Sequence, residues 1–163
     1  MTEKVTPIPE GFHTLTPHLV VKGAEQAIEF YQKALGAQLL GKHAGPGGKI
    51  MHALLQIGDS KLMLADEFPE FGSLGPQSGG TSVSLHVYVE NVDKAWEKAV
   101  GAGGKVKMPL MDQFWGDRYG QFTDPFGHLW SLGSRIKIMT PEEMEEAQAE
   151  AFGKAAEKMQ KTA

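Results

Sequence analysis

The feature that most narrows the folds open to this chain is an internal repeat. "LTPHLVVKGAEQAIEFYQKALGAQL", residues 15–39, overlays "VSLHVYVENVDKAWEKAVGAGGKV", residues 83–106, without a gap. Thr16 then meets Ser84, His18 meets His86, Val21 meets Val89 and Gly36 meets Gly104. Ala27-Ile28-Glu29 falls on Ala95-Trp96-Glu97. Identity is low, yet both copies run as alternating strand, polar turn, helix and glycine stop. Two such copies imply two modules that share one core.

Periodicity places the elements. In the first strand, Thr16, His18 and Val20 point one way and Leu15, Leu19 and Val21 the other. The first helix carries an apolar stripe of Ala24, Ala27, Ile28, Tyr31 and Leu35, the second one of Val92, Ala95, Trp96, Ala99 and Val100. Gly36 and the Gly101/Gly103/Gly104 group are helix stops. Three strand-like runs follow each helix: "AQLLGKH", "KIMHALLQI" and "KLMLADE", then "KVKMPLM", "RYGQFTD" and "HLWSLGS". "DPFG", Asp124 to Gly127, reads as a type I turn with Asp124 capping it. Each half is therefore β-α-β-β-β.

The expected fold is α+β: two tandem βαβββ modules forming a curved mixed sheet around a cavity, plus a C-terminal helix. The modules span about 12–66 and 81–135, with a Gly/Pro/Ser-rich linker at 67–80, and together make one domain over 1–137. The tail, 138–163, opens with Thr140 as N-cap, Pro141 at the first helical position and Glu143 to close a capping box. Met144, Ala147, Ala151, Ala155 and Met159 form a thin stripe along it, which suits packing on the parent domain or a dimer mate better than a membrane.

Composition removes several classes of function. With no cysteine there are no disulfides, Cys-based metal sites or thiol nucleophiles. A net charge of −4 with scattered lysines leaves no footprint for nucleic acid. The N-terminal residues lack the apolar run of a signal peptide and no segment is apolar enough to span a bilayer, so a cytoplasmic location and no membrane partner are expected.

The tandem βαβββ pair resembles the vicinal-oxygen-chelate superfamily, which includes glyoxalase I, extradiol dioxygenases, fosfomycin-resistance transferases and bleomycin-resistance proteins. The resemblance covers about residues 12–135. "TPHLVVKGAEQAIEFYQKALGA", "IGDSKLMLADE" and "WGDRYGQFTDPFGHLWSL" look most like its PhnB-like subgroup. It implies a ligand cavity on the concave side of the sheet and, in metal-dependent members, four ligands there: a His or Gln from each first strand and a Glu from each last strand. Carried over, these positions fall on Thr16, Ser84, Leu64 and Ser131, with Leu64 taken as the counterpart of Ser131. None is a good ligand for a divalent metal. No metal and no cofactor are therefore expected.

His18 and His86, two residues beyond the first-strand positions, would both look into the cavity as pocket lining. Trp115 and Tyr119 are candidates for aromatic lining, while His52, Asp117 and Arg118 depend on register. Only one of the adjacent Asp117 and Arg118 can face the pocket. Asp66, Glu67 and Glu70 read as solvated carboxylates before the linker.

Two functions stay open. One is a metal-independent binder of a small apolar or aromatic ligand, acting as a homodimer. The other is a glyoxalase-like lyase, isomerase or transferase that uses His18 or His86 as acid/base or in an atypical metal site.

Overall fold

The computed structural model describes residues 4–162 and orders them as two copies of one plan followed by a helix. The first copy contains β1 (His18–Val21), α1 (Ala24–Leu35), β2 (Gln38–Ala44), β3 (Ile50–Ile57) and β4 (Ser60–Asp66). The second contains β5 (Ser84–Tyr88), α2 (Val92–Gly101), β6 (Lys105–Asp112), β7 (Asp117–Thr123) and β8 (Leu129–Arg135). The tail is α3 (Pro141–Lys161), with the Thr140–Glu143 capping box formed.

Each module carries its own four-stranded mixed sheet, in the orders β1-β4-β3-β2 and β5-β8-β7-β6. The first strand of each module runs parallel to the last, and the other pairings are antiparallel. Pro109 sits on β6, an edge strand, where its missing N–H removes no ladder bond that a central strand would need. The first strand is shorter than the alternation suggests. Pro17 ends the ladder, β1 begins at His18, and Leu15 is left exposed.

The core lies between the sheets and their helices. Leu19, Val21, Leu55, Leu62 and Leu64 of the first sheet pack with Ala24, Ala27, Ile28 and Tyr31 of α1. Phe122, Trp130 and Leu132 of the second sheet join the same cluster as Val92 and Ala99 of α2. The register corrects one expectation. Leu64 pairs with Leu19 and is fully buried against the helix, so it does not face a ligand cavity. Met63, which pairs with His18, takes the place that Ser131 takes beside His86. At the constant offset of the repeat, Leu64 falls on Leu132 and Met63 on Ser131.

Two aspartates, Asp66 half-buried and Asp124 buried, hold the arrangement together. Asp66 was expected to be solvated. Its Oδ1 instead accepts from the backbone N–H groups of Gly23 and Ala24, and its Oδ2 from that of Ile50. The carboxylate thus caps α1, which has no side-chain cap of its own, and its charge suits the positive helix end. Asp124 caps its own turn through Oδ1, which accepts from Phe126 N–H and His128 N–H at 2.9 Å each. Its Oδ2 accepts from Trp130 Nε1 at 2.9 Å and from the Tyr31 hydroxyl of α1 at 2.6 Å, joining the two modules.

Burial, and secondarily the Asp124 charge, push the Tyr31 phenol far above its ordinary value of 10.0. The folded chain then keeps a proton that the unfolded chain releases once the pH passes about 10, so stability is full below that pH and falls above it. The urea midpoint should drop more steeply between about pH 9.5 and 11 in the wild type than in Tyr31→Phe. Parallel profiles for the two proteins would contradict this.

Candidate functional site

Strand alternation on the second sheet sends Leu85, Val87, Phe122, Trp130 and Leu132 toward α2 and the core. The residues between them, His86, Tyr88, Asp117, Tyr119, Gln121 and Ser131, share the other face. The parallel register of β5 on β8 sets His86 opposite Ser131, and the ring Nδ1 lies 2.8 Å from the serine Oγ. Gly133 lets the imidazole lie down on the sheet: a Cβ there would sit 3.0 Å from His86 Cε1.

Aromatic side chains surround that histidine. Tyr119 stacks on it at 5.6 Å and 24° between planes, and Tyr88 meets it edge-on at 4.4 Å. Trp115, on the turn between β6 and β7, meets Tyr119 edge-on at 5.4 Å. With Ser84, Asp117 and Ser131 they enclose an open bowl of about 340 Å³. The hydroxyl of Tyr88 donates to Asp117 Oδ2 at 2.9 Å, and Gln121 Nε2 donates to the Tyr119 oxygen at 2.8 Å.

Partial burial holds the His86 pKa below its ordinary 6.5, against a smaller opposing pull from Asp117. The ring is therefore neutral near pH 7. Nδ1 is engaged by Ser131, and Nε2 has no protein partner among the described residues, which leaves one ring nitrogen to accept from or donate to a bound molecule.

The remaining candidates are distributed otherwise. His18 occupies the equivalent strand position on the first sheet, 5.8 Å from His52, which resolves the facing of His52. Burial and then the neighbouring His52 hold its pKa below 6.5. No residue of the first module lines the His86 bowl, so one chain does not bring the two histidines into a common cavity as expected. Thr16 stands ahead of the ladder and borders a crevice between the modules, together with Leu15 and Pro17.

Asp117 faces the bowl while Arg118 turns away to pair with Asp93 and Asp112 at 3.0 and 2.9 Å. His128 spends its Nε2 on the Val20 carbonyl, 2.9 Å away. Tyr88 and Gln121 were missed. Counting in twos along the strands finds both, Tyr88 from His86 and Gln121 from Tyr119, and the pairing of Gln121 with Ser131 places the glutamine beside the serine.

The donor set does not fit the divalent metal that this type of fold implies. Thr16, Ser84, Met63 and Ser131 supply three hydroxyls and a thioether, with Ser131 already bonded to His86. Among the described residues no three His, Asp or Glu side chains converge as a metal-binding group.

Two βαβββ modules with polar and aromatic side chains on their outer sheet faces define a class. The chain belongs to the Glyoxalase/Bleomycin resistance protein/Dioxygenase superfamily, whose model matches residues 11–132. It is 46% identical over 137 residues to the uncharacterized protein Rv0887c of Mycobacterium tuberculosis, covering 82% of this chain and 81% of that protein. Among solved structures, PA1353 from Pseudomonas aeruginosa is 30% identical with a TM-score of 0.61, covering 76% of this chain and 98% of that one. TnmS3, an antibiotic binding protein from Streptomyces sp. CB03234, is 24% identical with a TM-score of 0.59, covering 80% and 99%. No helix among the described residues is long and apolar enough to cross a membrane.

Proposed function

We propose that this protein is a metal-independent binder of a small, flat, apolar or aromatic molecule, held in the bowl around His86. The observation that carries the reading is the ring of Tyr88, Trp115 and Tyr119 about a neutral imidazole whose second nitrogen is free. Stacking suits a planar ligand, and the single free nitrogen gives it one point of orientation. The antibiotic binding of TnmS3 accords with this ligand class. The bowl has walls from one module only, which favours a homodimer in which a second copy closes it. We also propose that α3 packs at or near that interface. A PhnB-like affiliation and a cytoplasmic location complete the reading.

Elemental analysis of purified protein should find metal well below one equivalent, and divalent cations should leave the melting temperature unchanged. Titration with 2-naphthol, a flat aromatic probe, should quench tryptophan fluorescence, with affinity weakened at least about tenfold in Trp115→Ala or Tyr119→Ala. Light scattering at micromolar concentration should give the mass of a dimer. A stoichiometric metal lost in His18→Ala or His86→Ala would overturn the proposal in favour of a glyoxalase-like lyase, isomerase or transferase.

A further inference from the structure

A second and larger cavity lies between the modules, on the helix side of the sheets, and the bowl reading does not use it. It measures about 760 Å³, within the range of roughly 300–1,000 Å³ that ligand pockets occupy. Its position follows from how the modules meet. The Tyr31–Asp124–Trp130 link draws α1 onto the second sheet, and one turn further along α1, at Ala34 and Leu35, a gap remains open.

The walls are apolar: Leu35, Ile57 and Leu62 from the first module face Leu85, Val87 and Leu132 from the second. Strand β5 borders both cavities, but Leu85 and Val87 point here and His86 points to the bowl. The rim is cationic. Lys61, Lys94 and Lys98 border the cavity against one carboxylate, Asp59, in a chain of net charge −4. Lys61 is held by Gln56, and Lys98 reaches over Gly36 at the end of α1. Lys94 and Lys98 lie four residues apart on one face of α2, where like charges repel. Neither takes part in an ion pair among the described residues.

We propose that this cavity binds an amphipathic anion, a molecule with an apolar body and one carboxylate or comparable head. The body lies against the leucine and valine walls, and the head sits between Lys94 and Lys98, relieving their repulsion. The site is distinct from the bowl and stands whether or not the bowl binds a flat ligand.

Calorimetric titration of the full chain with decanoate, and with decanol as its uncharged counterpart, tests this. Decanoate should bind at least about tenfold more tightly than decanol, and more weakly as salt is added. Lys94→Glu/Lys98→Glu should remove that preference, and Ala95→Trp, at a residue of α2 that borders the cavity, fills the space without changing any charge and should abolish binding. Trp115→Ala should leave decanoate affinity unchanged. Absence of decanoate binding, equal affinity for decanol, or loss of binding only in Trp115→Ala would overturn the proposal. So would loss of a dimer in Ala95→Trp without decanoate binding to the wild type, since a second copy would then fill the cavity.

Discussion

Leu64→Glu is expected to abolish cooperative folding, whereas Met63→Glu, one residue earlier, leaves the protein folded. Leu64 is fully buried beside Leu19 and Ala53 on the helix side of the first sheet. Removing it forfeits about 1.5–3 kcal/mol of apolar burial. The new carboxylate meets no cation there, and an unpaired buried charge costs several kcal/mol more. The sum is about the size of the 5–15 kcal/mol that holds an ordinary domain together. Met63 is half-buried on the opposite face beside His18, where a carboxylate reaches solvent. A cost of about 1 kcal/mol corresponds to a fall of roughly 2–4 °C in melting temperature. Thermal melts followed by circular dichroism distinguish the two variants. A native-like melt for Leu64→Glu would mean that the face assignment of β4 is wrong.

The second large effect is expected at Asp124. Its two oxygens receive four hydrogen bonds, from Phe126 N–H, His128 N–H, Trp130 Nε1 and the Tyr31 hydroxyl. Asp124→Ala strands all four donors, of which the Tyr31 and Trp130 groups belong to buried side chains. Each stranded buried donor costs about 1–3 kcal/mol, so a loss of about 4 kcal/mol, roughly 10 °C, is expected. Tyr31→Phe removes one bond to a charged acceptor and should cost about 1.5–3 kcal/mol. The double variant should lose less than the sum, because both changes break one network. Urea denaturation of the three variants measures these differences. Strict additivity would show that Tyr31 and Asp124 do not act as a unit.

These residues mark how far the chain could be read in one dimension. The two helix stripes, the Gly36 stop, the tail cap and the Asp124 turn all rest on neighbours within a few residues, the repeat shows the same local pattern twice, and all are present. The bowl was legible in part. His86, Ser84, Ser131 and Tyr119 lie together on the second sheet, because alternation along a strand assigns a shared face, and Trp115 joins them from the turn before β7. Tyr88 was within reach of the same count. Leu64 failed because its face was inferred through a correspondence shifted by one residue, and in a strand that shift turns a side chain to the opposite surface.

Asp66 and Asp124 show the other limit. As sequence, each is a carboxylate next to a turn. What separates a solvated carboxylate from a helix cap or an inter-module link is the set of donors brought to it, and Ala24 and Tyr31 are supplied from 42 and 93 residues away. His18 and His86 are matched in the repeat, yet the sheets that carry them do not share a bowl within one chain. By itself, the sequence determined the modules, their order and the face on which most side chains lie, because these follow from local periodicity. The tertiary structure alone decided which faces meet, which carboxylates are buried and where cavities open, because those depend on register and packing between segments far apart along the chain.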